Sequence, residues 1–222
     1  MTTRSLAIGE IYHLYNRGVD KRTVFSEEAD YQRFLALLFV GNGSRAVTLG
    51  DIPQSDWFLW DRGEPLAQIG SFCLMPNHFH LIVRQSTERG VEKMMQKIMT
   101  AYTMYYNLKN KRTGRLFETT YKAKYVGSDE QLRHLLAYIH LNPISLVERD
   151  WKTNGIENMK QAIEIIQNST KSSYPLLVSS AANEKRNILA PKHFPEYFCT
   201  LKDEGVEQLL EWAMMYAKTP KV

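Results

Sequence analysis

The sequence predicts an α+β protein of the ferredoxin-like kind, a split βαβ in which a four-stranded antiparallel sheet carries helices on one face, followed by a helical C-terminal extension. Three observations predict it. Alternating strand-like runs and longer runs of helical period succeed one another in the order strand, helix, strand, strand, helix, strand. The main change of character falls near residue 150, dividing the chain into a domain of residues 1–150 and a mainly helical extension of residues 151–222. The composition, 44% hydrophobic and 23% charged over 222 residues, supplies a sizeable core without disulfide staples.

Each element has a local reason. Residues 10–16 are rich in β-formers, with Ile11, His13 and Tyr15 alternating against Tyr12 and Leu14, and end at Arg17-Gly18. Ser26 before two acids reads as an N-cap, and Tyr31, Phe34, Leu37 and Leu38 then recur at helical spacing until Gly41-Asn42-Gly43. Residues 44–67 have no sustained period and read as a long irregular connection with room for a short strand, whose Trp57, Phe58 and Trp60 could stack bases but, on the blander and favoured reading, pack onto the domain. A hairpin follows, with residues 69–75 as one strand, Pro76-Asn77 as the turn, and His78 onward as the next. Residues 91–110 form a helix with Val91, Met94, Met95, Ile98, Tyr102 and Tyr105 on one side, and residues 119–126 a fourth strand. Ser128 caps a further helix with the stripe Leu132, Leu135, Leu136 and Ile139. Pro143 ends it and turns Asn142 away from α geometry. Beyond Trp151 come an amphipathic helix through Ile156, Met159, Ile163 and Ile166, a polar loop at 168–173, and a last helix over 206–216.

Charge and composition narrow the function classes. Cys73 and Cys199 form no C-x-x-C pair, which argues against a zinc knuckle or redox motif and for core residues in a reducing compartment. Residues 1–10 lack the apolar core of a leader, and no run approaches a membrane span, so a cytoplasmic, nucleoid-associated protein with no membrane partner is expected. A net charge of +4 permits a polyanionic partner. Lys109, Lys111, Arg112, Arg115, Lys122 and Lys124 gather in a short span with a single acid, Glu118, interleaved with Phe117, Tyr121 and Tyr125.

The stretch Met75-Pro76-Asn77-His78-Phe79-His80-Leu81 is the chemical signal. On a strand His78 and His80 share one face while Phe79, Leu81 and Val83 take the other. Two imidazoles leave a metal site incomplete, to be finished by oxygen ligands. Asn142 is a candidate third ligand if its helix lies against the strand, and such a donor set suits Mg²⁺ or Mn²⁺ on a phosphate at least as well as structural zinc. Tyr138 precedes Asn142 by one helical turn, so it would be carried close to that metal as a nucleophile. Taken singly, each has a blander reading: a chance His pair, a half-buried tyrosine, an asparagine cap, a strand histidine at His13. A histidine-triad hydrolase would need a third histidine where Ile82 stands, and a two-histidine phosphoesterase needs His-x-Thr or His-x-Ser twice, which the chain lacks.

Four ordered blocks carry a resemblance to a known family. Tyr12-His13-Leu14-Tyr15-Asn16-Arg17-Gly18, the histidine block, Tyr102 to Asn107 with Gly114-Arg115-Leu116-Phe117, and Tyr138-Ile139-His140-Leu141-Asn142-Pro143 resemble the single-tyrosine HUH transposases. They are most similar to the REP-associated branch of the IS200-like transposases. Ser172-Ser173-Tyr174 also resembles a short family motif, displaced by an insertion. The resemblance implies a metal-dependent endonuclease and strand transferase on hairpin-bearing single-stranded DNA. It implies Tyr138 as nucleophile, leaving a 5′-phosphotyrosine, and His78, His80 and Asn142 as metal ligands. Arg17, Lys109, Lys111, Arg112, Arg115, Lys122 and Lys124 are the expected DNA contacts. A divalent metal, Mg²⁺ or Mn²⁺, is the expected cofactor and no nucleotide is required, since the phosphotyrosine conserves the bond energy. The resemblance leaves monomer and homodimer both open. The chain departs from relatives at Glu118-Thr119-Thr120-Tyr121-Lys122, where the arginine of a Gly-Arg-Phe-Lys block is missing. The alternative is a catalytically idle DNA- or RNA-binding regulator that keeps the fold, and a structural zinc protein without nucleic acid is a third reading.

Overall fold

The computed structural model describes residues 6–217. Residues 1–5, within the stretch read for a leader, and 218–222, at the end of the expected extension, lie outside the described residues. Strands β1 (Ile11–Arg17), β2 (Ala67–Met75), β3 (His78–Gln85) and β4 (Lys122–Tyr125) form one sheet in the order β2-β3-β1-β4. All three pairings are antiparallel, with β1 and β3 central as a split βαβ requires. The expected fold class is what the chain adopts.

Pleating sends the two sets of side chains to separate cores. Tyr12, Leu14, Phe79, Leu81 and Val83 pack against α1 (Glu28–Val40) and α2 (Gly90–Lys109), joined by Leu49, Ile52, Trp57 and Phe58 from the irregular connection. The aromatic centre of this layer is Phe34, which lies 5.2 Å from Phe79 and 5.0 Å from Tyr102 between ring centroids. Helix α1 is capped one residue later than its sequence suggests. Glu27, not Ser26, is the N-cap, in a reciprocal box with Asp30. The connection holds two short 3-10 turns, Leu49–Asp51 and Gln54–Asp56, and an isolated bridge from Gly43 to Pro65 before β2 begins at Ala67.

The opposite face, which the one-sided pattern leaves open, is covered by α3 (Asp129–Leu141) and by the chain after residue 150. That chain forms α4 (Trp151–Asn154), α5 (Met159–Asn168), α6 (Tyr174–Val178) and α7 (Tyr197–Ala217). Cys73, Met75 and Ile82 from the sheet meet Leu136, Ile139, Ile166, Phe198 and Leu209 in a second core. Helix α7 breaks at Gly205, whose φ of 71° favours glycine, and its second half is the last helix read from the sequence. Gly70 sits at a register shift in β2, and any Cβ there would fall within 2.9 Å of the Phe194 and Phe198 rings. The bulge thus admits the C-terminal aromatics.

Residues 171–173 seal the outer edge of β2. Leu74 N–H donates to Lys171 O at 2.7 Å and Ser173 N–H to Phe72 O at 3.0 Å. A buried polar cluster fastens them: His140 Nδ1 and Nε2 lie 3.1 Å from Ser172 Oγ and 3.2 Å from Ser71 Oγ, and Ser173 Oγ lies 3.1 Å from Ser71 Oγ. Burial pushes the His140 imidazole down to about 3, so it is neutral and each nitrogen has a hydroxyl for a partner. His140→Ala is expected to leave a cavity and take one hydrogen-bond partner from each of the Ser71 and Ser172 hydroxyls, and to cost about 3 kcal/mol in urea unfolding.

Candidate active site

The register decides which side chains meet. Across β1 and β3, Tyr15 stands opposite His80 and Arg17 opposite His78, and across β1 and β4, Tyr15 faces Lys122 and His13 faces Lys124. Directly paired residues share a face. His13, Tyr15, Arg17, His78, His80, Lys122 and Lys124 therefore stand on one side of the sheet, the side that α3 covers.

Helix α3 starts at Ser128, whose Oγ accepts from Gln131 N–H, and its apolar stripe seats it on the sheet. Tyr138 is then presented edge-on to His80, with ring centroids 5.4 Å apart at 84°. His78 and His80 are themselves 5.0 Å apart and near perpendicular. Asn142 is buried, but its backbone corrects an expectation: at φ −54° and ψ −37° it stays in α geometry, and the chain tightens into a 3-10 turn, Asn142–Leu146, with Pro143 in its first turn. Proline at the start of such a turn lacks only an N–H that would be unpaired there. Tyr15, Asn16, Arg17, Met75, His78, His80, Glu118, Lys122, Tyr138, Asn142, Ser145 and Lys152 line one cavity of about 400 Å³.

The histidines are prepared as lone-pair donors. Asn77 Nδ2 faces Lys21 O at 3.3 Å, which turns its Oδ1 to His78 Nδ1 at 2.6 Å. An amide oxygen only accepts, so His78 carries its proton on Nδ1 and keeps Nε2 for a ligand. His80 Nδ1 lies 2.8 Å from His13 Nε2, and His80 Nε2 is a buried nitrogen with no partner. With His80 Nδ1–H donating to His13, that orphaned Nε2 is a lone pair aimed at the cavity. Burial, then the charges of Arg17 and Lys152, holds His78 down at about 4. Burial also holds His80 well below the ordinary value, and His13 is lowered to about 4 by burial and by Lys124. Neutral imidazoles are the form a metal binds.

No three or more His, Cys, Asp or Glu side chains among the described residues are grouped so that together they could hold a metal, so a metal on His78 and His80 needs further oxygen ligands. Asn142 supplies one. Its Oδ1 accepts from Lys152 Nζ at 3.1 Å, while its Nδ2 is buried without a partner. His78, His80 and Asn142 line the one cavity and have the nitrogen and oxygen donor types that could hold a divalent ion with open positions.

The basic residues read from the sequence divide into three groups. Arg17 and Lys122 line the cavity, Lys124 continues along β4, and Arg115 lines an adjoining hollow with Val19, Asp20, Lys21 and Glu118. Lys109 is held by Asp30 at 2.6 Å and Glu27 at 2.8 Å. Arg112 is occupied by Asn107 and by Arg115 O, closing the loop after α2 around Lys111. Sequence reasoning missed Lys152, Ser145 and the orienting role of His13. The alternation of β1 could have flagged His13, which it places on the cavity face.

Comparisons with known proteins bear on the family resemblance and the fold. Residues 65–142 match the family model described as "Transposase IS200 like". No curated protein matches the chain. A solved REP-associated tyrosine transposase, bound to a REP hairpin, superposes with a TM-score of 0.52 at 13% identity, covering 83% of this chain and 92% of that one. At that identity the likeness is one of fold. No helix among the described residues is long and apolar enough to cross a membrane. The stretch similar to the IS200-like transposase family is thus residues 65–142, which hold both histidines, Tyr138 and Asn142.

Proposed function

We propose that the chain is a metal-dependent single-stranded DNA endonuclease and strand transferase that cleaves by forming a 5′-phosphotyrosine on Tyr138, at hairpin or REP-type elements. The observation that carries this reading is the meeting of Tyr138 with His80, 5.4 Å apart between ring centroids, in a cavity edged by Arg17, Lys122 and Lys152. In the reaction Tyr138 Oη bonds to phosphorus as the P–O3′ bond breaks. The phenolic proton leaves to solvent and the departing 3′ oxygen takes one up. Rejoining runs the same steps in reverse, with a DNA 3′-hydroxyl displacing the tyrosine, so no nucleotide is consumed. Arg17 and Lys122 hold the phosphodiester, and α3 fixes the direction of attack. A divalent metal on His78, His80 and Asn142 would supply Lewis acidity at the phosphate oxygen. Tyr138, His78, His80, Asn142, Arg17 and Lys122 all belong to the domain of residues 1–150, and the extension that begins at residue 151 adds Lys152 to the cavity.

The test is incubation with hairpin-bearing single-stranded DNA from the flanks of the chain's own gene, with Mn²⁺ or Mg²⁺, followed by denaturing electrophoresis. A metal-dependent protein–DNA adduct is expected. DNA binding with no adduct, undiminished in His78→Ala and Tyr138→Phe, would instead identify a catalytically idle regulator. His13 supplies a second expected result. His13→Ala leaves His80 free to rotate, and Mn²⁺ affinity measured by electron paramagnetic resonance should weaken by about 10–100-fold while the melting profile changes little.

A further inference from the structure

Lys152 is the one cation in the cavity that the sequence gives no reason to expect there. It comes from α4, beyond the stretch of the family match, and reaches back over the site. Its Nζ lies 4.3 Å from the centre of the Tyr138 ring and 3.1 Å from Asn142 Oδ1. No carboxylate pairs with it among the described residues, although other lysines of the chain, Lys109 and Lys122, have such partners. A cation held by a carboxamide oxygen and an aromatic face is held by weak, neutral partners. It is free to move to an anion.

Resting on the reading of His78, His80 and Asn142 as metal ligands, we infer that Lys152 is a positioning residue. Its ammonium occupies Asn142 Oδ1 in the DNA-free protein and gives that oxygen up to the metal when a DNA phosphate draws the ammonium away. The argument is one of shared ground. A divalent ion on Asn142 Oδ1 and an ammonium 3.1 Å from the same oxygen are like charges in a partly dry cavity, and each weakens the other's hold. A phosphodiester in the cavity reverses this, since it attracts both. Metal affinity then rises with DNA occupancy, and by reciprocity DNA affinity rises with metal. The site would assemble its cation only over a strand to be cut. Trp151, whose Nε1–H donates to Ser145 Oγ at 2.9 Å, anchors the short helix from which Lys152 moves.

The experiment measures Mn²⁺ affinity by electron paramagnetic resonance on the full chain carrying Tyr138→Phe, so that no cleavage intervenes, with and without a short oligothymidylate. Lys152→Met and Lys152→Arg are compared in that background. In DNA-free protein, Lys152→Met should bind Mn²⁺ about tenfold tighter and lose the further tightening that oligothymidylate produces. Lys152→Arg, which keeps the charge, should keep the weak DNA-free affinity. Equal Mn²⁺ affinity in Lys152→Met and its parent, with binding that still depends on His78, would overturn the inference and leave the metal site standing. Mn²⁺ binding that ignores His78→Ala would overturn both. Thermal melting identifies a variant that fails to fold, and Lys152→Gln then takes the place of Lys152→Met with the same expectations.

Discussion

Tyr138→Phe is expected to abolish the covalent DNA adduct, lowering its yield at least about a thousandfold, while leaving hairpin binding within twofold of the parent. The substitution removes one oxygen and nothing that holds the fold. Tyr138 meets its neighbours through its ring: His80 edge-on at 5.4 Å, His134 at 6.5 Å and Lys152 Nζ at 4.3 Å from its centre. Phenylalanine keeps each of these contacts. What it cannot do is bond to phosphorus, and losing a covalent nucleophile outright costs several powers of ten. Denaturing electrophoresis reads the adduct, and a gel shift in the same buffer reads binding. Retained stability with lost adduct separates chemistry from folding.

The largest stability effect is expected at Asp30, far from the cavity. Its carboxylate is fully buried and accepts from Lys109 Nζ at 2.6 Å, Tyr105 Oη at 2.9 Å, and the N–H groups of Ser26 at 2.8 Å and Glu27 at 3.3 Å. Burial alone would raise its pKa, but hydrogen bonds from Lys109, Ser26, Tyr105 and Glu27 outweigh it and hold the group below the ordinary 3.8. Asp30→Ala should cost about 3–5 kcal/mol in urea unfolding, because it strips the cap of α1 and strands the other donors. The pH dependence has a definite sign. A carboxylate depressed in the folded state contributes its stability above the unfolded pKa and loses it as pH falls through the folded one. The parent should therefore weaken in acid below about pH 4, and Asp30→Asn should lack that part of the acid limb. Lys109, expected to contact DNA, is thereby occupied with joining α2 to α1, and Lys109→Met should reduce stability without changing the salt slope of DNA binding.

These two results mark what the sequence could and could not express. The succession of elements points to the split βαβ pattern and its central strands, and period places His78 and His80 on one face, because alternation on β3 is a local property. Helical spacing likewise carried Tyr138 and Asn142 together. The pairing of Lys109 is not legible in the sequence because its partner Asp30 lies 79 residues away, and a charge run gives no sign of which member is already paired. His13 reads as a lone strand histidine in the sequence, since only the pairing of β1 with β3 brings it to His80 Nδ1. Lys152 and the sealing segment 171–173 depend on how the last third folds back, which short amphipathic runs do not encode. Asn142 kept α geometry before Pro143 because the 3-10 turn that follows tolerates proline at its start.

Mapping the adduct tests the central claim most directly. After nuclease trimming and proteolysis, mass spectrometry of the protein–DNA product should find the nucleotide on the peptide containing Tyr138. Tyr15 lines the same cavity, opposite His80, and offers a second phenol to any phosphate that enters. A nucleotide on Tyr138 alone is the result this account predicts, and a nucleotide on Tyr15, or adduct that persists in Tyr138→Phe, would contradict it.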